Sequence, residues 1–235
     1  MSPVTAILCL SLGSIYFTSN ARAFEGCVAG VLTRGGGQGE SLLYTFGANF
    51  SRVEIVNAPD SPMPVDIVNI NSGQLTLLFP QNRSFVRLPA AESRAEKTPA
   101  QIGFPTMPAR PMPETKMELR VSGQGTNILG FACKHYELKQ RGQMLEIWAT
   151  DQLPPFQPYV RNQSHHHSSS RIEEQWEALL AARKLFPLLA ILRHDNGGER
   201  FRFEIKSVTP RKFIDEDLKL FQPPPGYSET QPLPF

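Results

Sequence analysis

The stretch LLAILRHDNGGERFRFEI, residues 188–205, decides the fold that the sequence predicts. Its centre, Asp195-Asn196-Gly197-Gly198, has the composition that supplies the positive φ angles of a tight hairpin. The residues on each side, LLAILRH and ERFRFEI, have the length and the apolar content of short strands. The stretch therefore predicts two antiparallel strands joined by a tight turn.

Strands of the same kind recur along the chain. The clearest is TKMELRV, residues 115–121, in which apolar and charged residues alternate strictly. The same alternation is present in SRVEIV, residues 51–56, and in LEIWA, residues 145–149. Period-two alternation with a charged face predicts a sheet that is dry on one side only. Because turn residues separate the strands at 71–73 and 140–142, we expect an antiparallel meander in a mainly β (α+β) fold.

One helix is indicated within this strand-rich context. Ser170 and Glu173 form a capping box, and Pro187 is expected to end the helix before a strand that begins at Leu188. The apolar positions near helical spacing are Ile172, Trp176, Leu179, Leu180 and Phe186. We expect this apolar stripe to be buried against the dry face of the sheet.

Length, charge and the N-terminus limit the class of protein. The chain has 235 residues, is 40% apolar and has a net charge of +2, which suffices for one core and provides no strong field for nucleic acid. Residues 4–17 form an apolar run shorter than the about 20 residues that span a bilayer. Ala21-Arg22-Ala23 follows as a small-x-small site. We interpret residues 1–23 as a signal peptide cleaved after Ala23, with a buried N-terminal helix as the alternative. The mature protein is then exported, periplasmic or extracellular, and does not span the membrane.

Two cysteines remain after this cleavage, Cys27 and Cys133. A lipid on Cys27 is disfavoured because Phe24-Glu25-Gly26, which precedes it, does not match a lipid-attachment box. An even pair of cysteines in an oxidising compartment favours a disulfide between Cys27 and Cys133. The alternative is two separate buried thiols.

The rest of the chain reads as one domain, residues 24–235. Six prolines lie in residues 89–113, and we interpret this stretch as a long surface loop within the domain rather than as a linker. His165-His166-His167 lie in a second polar loop without a Cys, Asp or Glu at metal-ligand spacing, so no metal site is expected. No nucleophile motif or phosphate-binding loop is present, and we expect neither a cofactor nor an enzymatic activity.

Several segments in order resemble one bacterial envelope family, domain of unknown function 4412. The most specific pieces are Ile128-x-Gly130-Phe131-x-Cys133-x-x-Tyr136, Glu146-x-Trp148-x-Thr150 and Phe221-x-x-Pro224-x-Gly226-Tyr227. The resemblance implies an architecture similar to the periplasmic lipoprotein carriers (LolA-like). In that architecture a strongly curved, unclosed antiparallel sheet, or half-barrel, has a helix covering its concave face.

The resemblance also implies a function, a non-enzymatic binding protein that holds a lipid, a lipidated protein or another apolar ligand between sheet and helix. The residues expected to line the cavity are Trp176, Leu179, Leu180 and Phe186 from the helical side and Leu42, Tyr44, Phe46, Leu145 and Ile147 from the sheet. Each could equally belong to an ordinary core. The alternative function is an envelope protein-interaction module with a filled core and no small-molecule ligand.

Overall fold

A computed structural model describes residues 24–56, 63–89, 119–140, 142–157, 171–194 and 196–231. The chain forms thirteen strands and one α-helix over these ranges, with a short 3-10 helix near the end. The strands are β1 (Gly26–Arg34), β2 (Glu40–Phe46), β3 (Phe50–Ile55), β4 (Val65–Asn69), β5 (Leu75–Phe79), β6 (Ser84–Leu88), β7 (Arg120–Val121), β8 (Thr126–Ile128), β9 (Phe131–Gln140), β10 (Gln143–Thr150), β11 (Phe186–Arg193), β12 (Glu199–Pro210) and β13 (Ser228–Glu229). The helix, α1, is Arg171–Ala182, and the 3-10 helix is Asp217–Phe221.

All thirteen strands belong to one unclosed sheet, as the mainly β prediction requires. The order across the sheet is β13-β6-β5-β4-β3-β2-β1-β12-β11-β10-β9-β7, and β8 also pairs with β9. Every pairing is antiparallel except that of β13 with β6. Most neighbours across the sheet are consecutive in sequence, so the predicted meander is confirmed.

The hairpin that the opening stretch predicts joins β11 to β12. His194 N–H donates to the Gly198 carbonyl at 3.0 Å, and Gly197 N–H donates to the His194 carbonyl at 2.8 Å. Gly197 has a φ of +80°, the left-handed region that favours glycine. The side-chain oxygen of Asn196 accepts the N–H of Gly198 at 3.0 Å. Glycine and asparagine thus have the turn roles that their composition indicated.

Replacing Gly197 with alanine is expected to lower the free energy of unfolding by about 1 kcal/mol, because alanine is strained at this φ. The matched control is Gly198→Ala. Gly198 does not have a positive φ, and its added Cβ would meet only the end of the Asn196 side chain at 3.2 Å. Urea unfolding of the two variants checks the prediction, and equal losses of stability would contradict it.

The helix is shorter than the sequence indicated. Leu185 N–H donates to the Leu180 carbonyl and Lys184 N–H to the Ala181 carbonyl, both at 3.0 Å, and Lys184 has a φ of +55°. This is a Schellman motif, which ends α1 before Pro187 can do so. Phe186 therefore lies in β11 and not on the helix, so its prediction as a helical side chain is wrong.

The two faces of the sheet pack against different segments of the chain. We call the face that carries Val28, Tyr44 and Phe203 the inner face, and the opposite one the outer face. On the inner face, Ile172, Trp176 and Leu180 of α1 are buried in the same apolar cluster as the strands β1–β3 and β9–β12. Three apolar residues of the predicted helical stripe are therefore buried among strand residues.

The outer face of β3–β6 is covered by the C-terminal segment. A second apolar cluster joins Phe50 of β3 and Leu78 of β5 to Phe221 and Tyr227. The rings of Phe50 and Phe221 are stacked with their centroids 5.8 Å apart. This end of the sheet consequently has apolar side chains on its outer face, where strict alternation predicted a wet surface.

The predicted disulfide between Cys27 and Cys133 is absent from the structure, and both residues are free thiols. Cys27 is half-buried beside Thr45 on the outer face, whereas Cys133 is buried in the inner cluster. Four strand steps separate β1 from β9, about 19 Å along the sheet at ~4.8 Å per step. A disulfide needs Cα atoms within about 7 Å of each other, so the sheet order keeps the two thiols apart.

Three predicted segments lie outside the described residues: the signal peptide 1–23, the proline-rich stretch beyond Pro89 and the loop of His165-His166-His167. The domain prediction for residues 24–235 stays a prediction. Within the described ranges, none of the helical structure has both the length and the apolar content that crossing a bilayer requires.

Candidate functional site: buried polar groups on the inner face

The residues predicted to line a cavity are brought together in one apolar cluster on the inner face. Leu179 is partly buried there. The others are almost fully buried: Leu42, Tyr44, Phe46, Leu145, Ile147, Trp176, Leu180 and Phe186. Their shared location fits the predicted site, and it fits an ordinary core equally well. Whether any of them contacts a ligand stays a prediction.

Aromatic rings fill the centre of this cluster. The Tyr44 ring lies 5.5 Å from Phe186 and 6.4 Å from Phe203, centroid to centroid and edge to face in both cases. The Trp176 ring of α1 lies 5.4 Å from Phe156 and 6.4 Å from Phe203. These are the separations of rings in direct contact. The helix therefore touches the sheet through packed rings at this point.

A buried carboxyl group, Asp66, lies on the same inner face next to the aromatic cluster. Three residues form a row across neighbouring strands, Tyr44 on β2, Val53 on β3 and Asp66 on β4. On its other side Asp66 pairs with Leu77 of β5. Only 5% of Asp66 is exposed, and both of its cross-strand neighbours are apolar.

Burial changes the acidity of this group. It raises the pKa of Asp66 from 3.8 to about 8, because an apolar environment disfavours the charged form. Among the described residues no cationic side chain or hydrogen-bond donor opposes this effect. Asp66 is therefore mostly protonated at neutral pH, and its carboxyl group can donate a hydrogen bond.

The second buried polar group is the hydroxyl of Ser51. Ser51 is 1% exposed, and its Oγ has no hydrogen-bond partner among the described residues. Its cross-strand neighbours on the inner face are Phe46 and Val68, neither of which offers a polar side chain. Leaving such a group unpaired costs about 1–3 kcal/mol, so Ser51 is an unusual residue for a purely structural core.

The Tyr44 hydroxyl is the third polar group of this patch. Burial, and then the negative charges of Glu177 on α1 and Asp66 on β4, raise the pKa of Tyr44 well above its ordinary value. The two acidic residues thus approach Tyr44 from the helix and from the sheet. We call Ser51, Asp66 and the hydroxyl of Tyr44 the polar patch.

Sequence reasoning selected Tyr44 but missed Ser51 and Asp66. In VDIVNI, residues 65–70, alternation places Asp66 opposite Val65 and Ile67, which reads as the wet face of a strand. That reading fails because Val65 and Ile67 pack in the outer cluster with Phe221, so Asp66 lies on the inner face, where it is 5% exposed. Nothing in the local sequence distinguishes a buried aspartate from an exposed one in such a pattern.

The outer face has a different chemistry. Arg193 contacts Glu146 at 3.0 Å and Glu199 at 3.4 Å, and Arg202 contacts Glu199 at 2.9 Å. A hydrogen bond from Arg202 lowers the pKa of Glu199. Ion pairs with this degree of exposure contribute little to stability. We regard this row of charges as a solvated sheet face.

An open depression of about 510 Å3 lies at the β9–β10 and β11–β12 hairpins, away from the polar patch, and is lined by Lys139, Gln140, Gly142, Gln143, Met144, Arg193, His194 and Gly197. Its lining mixes polar and apolar surface and includes no buried charged group. Within the described ranges, no three His, Cys, Asp or Glu side chains are close enough to hold a metal ion. The polar patch is therefore the strongest candidate site among the described residues.

Solved structures show a likeness of fold. PNGF-II, in its C2 crystal form, aligns with a TM-score of 0.51 and 16% identity, covering 89% of this chain and 31% of that chain. The chain thus spans about a third of the length of the protein it matches. An uncharacterized conserved protein from Thermus thermophilus aligns with a TM-score of 0.46 and 10% identity, covering 90% of this chain and 93% of that one.

A LolA superfamily protein from Nitrosomonas europaea aligns with a TM-score of 0.30 and 11% identity, covering 84% of this chain and 90% of that one. No curated protein matches the sequence significantly. The family model described as domain of unknown function (DUF4412) matches residues 24–227. That match covers almost the whole chain after the predicted signal peptide, and the protein belongs to the DUF4412 family.

Proposed function

We propose that the protein is an exported, non-enzymatic binding protein of the bacterial cell envelope. It holds an apolar ligand, a lipid or the acyl chain of a lipidated protein, at the inner face of a curved sheet. In this proposal the sheet is a half-barrel, and α1 covers its concave side. The predicted signal peptide brings the protein to the periplasm.

The observation that carries the proposal is the buried carboxyl group of Asp66, whose two cross-strand neighbours are apolar. A core whose only task is to fold gains nothing from a carboxyl group without a donor, because its charged form is destabilising there. Groups kept in such environments are typical of binding and catalytic sites. We therefore propose a binding role for Asp66 rather than a catalytic one.

The position of the helix supports the same conclusion. Trp176 and Leu180 of α1 contact the inner apolar cluster, and Glu177 lies close enough to Tyr44 to raise its pKa. In this proposal α1 separates from the sheet and loses the contacts of Ile172, Trp176 and Leu180, which are almost fully buried. An apolar ligand that replaces those contacts is stabilised by roughly 25 cal/mol per Å2 of buried surface.

The second candidate is a protein-interaction module with a filled core. The ring contacts of Tyr44, Phe156, Phe186 and Phe203 favour it, because rings in direct contact leave no room for an acyl chain at that point. The two candidates differ in one respect that can be measured. Only the first requires that an apolar ligand change the environment of the residues beside α1.

Fluorescence of Trp176 tests the proposal. Trp148 stacks on His135 in β9–β10, so a Trp148→Phe variant leaves Trp176 as the only tryptophan. Titrating this variant with laurate, 1-monolauroylglycerol or a lysophosphatidylcholine, each below its micelle concentration, is expected to shift and saturate the emission of Trp176. The same ligands should raise the melting temperature, since a ligand that binds only the native state stabilises it.

The reciprocal variant, Trp176→Phe, is the control for nonspecific effects of amphiphiles. Its remaining Trp148 lies on the sheet beside His135 and is expected to respond little. If none of the three ligands changes the emission or the melting temperature of the Trp148→Phe variant, the proposed function is wrong. The filled-core alternative would then stand.

A further inference from the structure

The three groups of the polar patch lie close together on two adjoining strand pairs. Asp66 is directly opposite Val53, and Ser51 is opposite Val68, which places Ser51 and Asp66 diagonally across β3 and β4. Diagonal neighbours in a sheet are about 7–8 Å apart, a gap that one small polar group can bridge. Tyr44 lies in the same row as Asp66, on the far side of Val53.

The surroundings of the patch are apolar or acidic. Phe46, Val53, Val68 and Leu77 are the cross-strand neighbours of Ser51 and Asp66. The titratable groups that act on Tyr44 are Glu177 from α1 and Asp66 itself. Within the part of the chain that the structure describes, no Lys or Arg side chain forms a hydrogen bond or an ion pair with the patch.

From this geometry we propose that Ser51, Asp66 and Tyr44 bind the uncharged, hydroxyl-bearing head group of an apolar ligand, such as the glycerol of a monoacylglycerol, and exclude anionic head groups. This inference rests on the proposed function and names the ligand class of that site. The protonated carboxyl group of Asp66 donates to a ligand hydroxyl. The Ser51 hydroxyl, which has no partner among the residues that the structure describes, exchanges a hydrogen bond with a second one.

The exclusion of anions has an electrostatic cause. Asp66 is protonated at pH 7, so the repulsion comes from Glu177. A carboxylate or phosphate beside Glu177 would be desolvated next to a negative charge, and no cation of the described ranges is paired with the patch to compensate it. A glycerol head group meets no such penalty. Its hydroxyls can pair with the Ser51 hydroxyl, which is buried without a partner among the described residues and costs free energy in that state. The acyl chain would extend over the apolar neighbours on the inner face.

Comparing two ligands of equal chain length tests this inference. In the Trp148→Phe background at pH 7, 1-monolauroylglycerol is expected to bind at least tenfold more tightly than laurate. Ser51→Ala in the same background should weaken binding of monolauroylglycerol about fivefold, as expected for one lost hydrogen bond. The melting temperature without ligand should not fall, because an unpaired buried hydroxyl contributes nothing to stability. Ser207→Ala, at an exposed position of β12, is the matched control.

Two variants of Asp66 test whether binding depends on a hydrogen-bond donor at this position or only on a side chain of similar size. Asp66→Asn keeps a donor and should retain binding within about threefold, whereas Asp66→Leu removes it and should weaken binding more than about tenfold. The inference would be overturned, and the proposed function left intact, if both ligands bound with equal affinity and if Ser51→Ala and Asp66→Leu did not change the affinity for monolauroylglycerol. Failure of both ligands to bind would overturn both.

Discussion

Asp66→Asn is expected to raise the free energy of unfolding at pH 7 by about 4 kcal/mol. The cause is the difference between the pKa of about 8 in the native protein and the ordinary value of 3.8. At pH 7 the unfolded chain has released this proton, and the native protein still binds it. Ionisation thus favours the unfolded state, and an uncharged asparagine of nearly the same shape removes that effect.

The coupling between proton binding at Asp66 and unfolding also determines how stability depends on pH. Between pH 4 and pH 8 the native state binds more protons at Asp66 than the unfolded state does, so stability falls as the pH rises. Below pH 4 both states are protonated, and above pH 8 both are ionised, so the contribution is constant in each range. Asp66→Asn should therefore differ little from the natural protein at pH 4 and most at pH 8 or above.

Urea unfolding at pH 4, 6 and 8 measures this prediction. The matched control is Asp151→Asn, which replaces an exposed aspartate. It should leave the change in the free energy of unfolding between pH 4 and pH 8 as it is in the natural protein. A loss of stability in Asp66→Asn at pH 7 would show that the carboxylate is paired in the native protein. The argument for a costly functional group at this position would then fail.

A gain in stability at Asp66 bears directly on function. A residue whose replacement stabilises the fold has no structural reason to be there, and a loss of ligand in Asp66→Leu would supply the functional one. Ser51 follows the same logic on a smaller scale, since its hydroxyl is buried without a partner among the described residues. In the proposed function, folding and binding make opposite demands at the polar patch.

Much of the fold could be predicted from local sequence, because hairpins and alternation are local properties. Asn196 and Gly197 form the turn that their composition indicated, and the fully buried apolar residues of β2 and β10 lie in the inner cluster. The end of α1 could not be predicted from Pro187, because the backbone turns earlier, with Lys184 in the left-handed region. A lysine gives no sequence signal for such a helix end.

The errors at the candidate site have a nonlocal origin. Val65 and Ile67 are buried on the outer face because Phe221 packs there, from a position 155 residues beyond Asp66 in the chain. The alternate position, Asp66, therefore lies on the inner face. The pairing of Cys27 with Cys133 was judged from their number and compartment, whereas the strand order decides their separation. Both facts belong to the topology, which period-two alternation does not specify.

Phe186→Ala is the other substitution with a large expected effect, a loss of about 4 kcal/mol in the free energy of unfolding. The Phe186 ring is fully buried and makes edge-to-face contacts with Tyr44, Phe46 and Phe156 at centroid distances of 5.5–5.9 Å. Truncation removes these contacts and leaves a cavity. Leu218→Ala, at a position that is 42% exposed, should cost less than about 0.5 kcal/mol in the same urea experiment.

The size of this loss also distinguishes a packed core from a ligand site. If the aromatic cluster is solid, Phe186→Ala should cost the full amount typical of a buried ring, about 3–5 kcal/mol. The proposed ligand would then be confined to the neighbouring residues around Asp66. A loss below about 1.5 kcal/mol would mean that the ring already borders empty space, and added monolauroylglycerol should then stabilise the protein. That outcome would extend the binding site under α1, where the sequence first placed it.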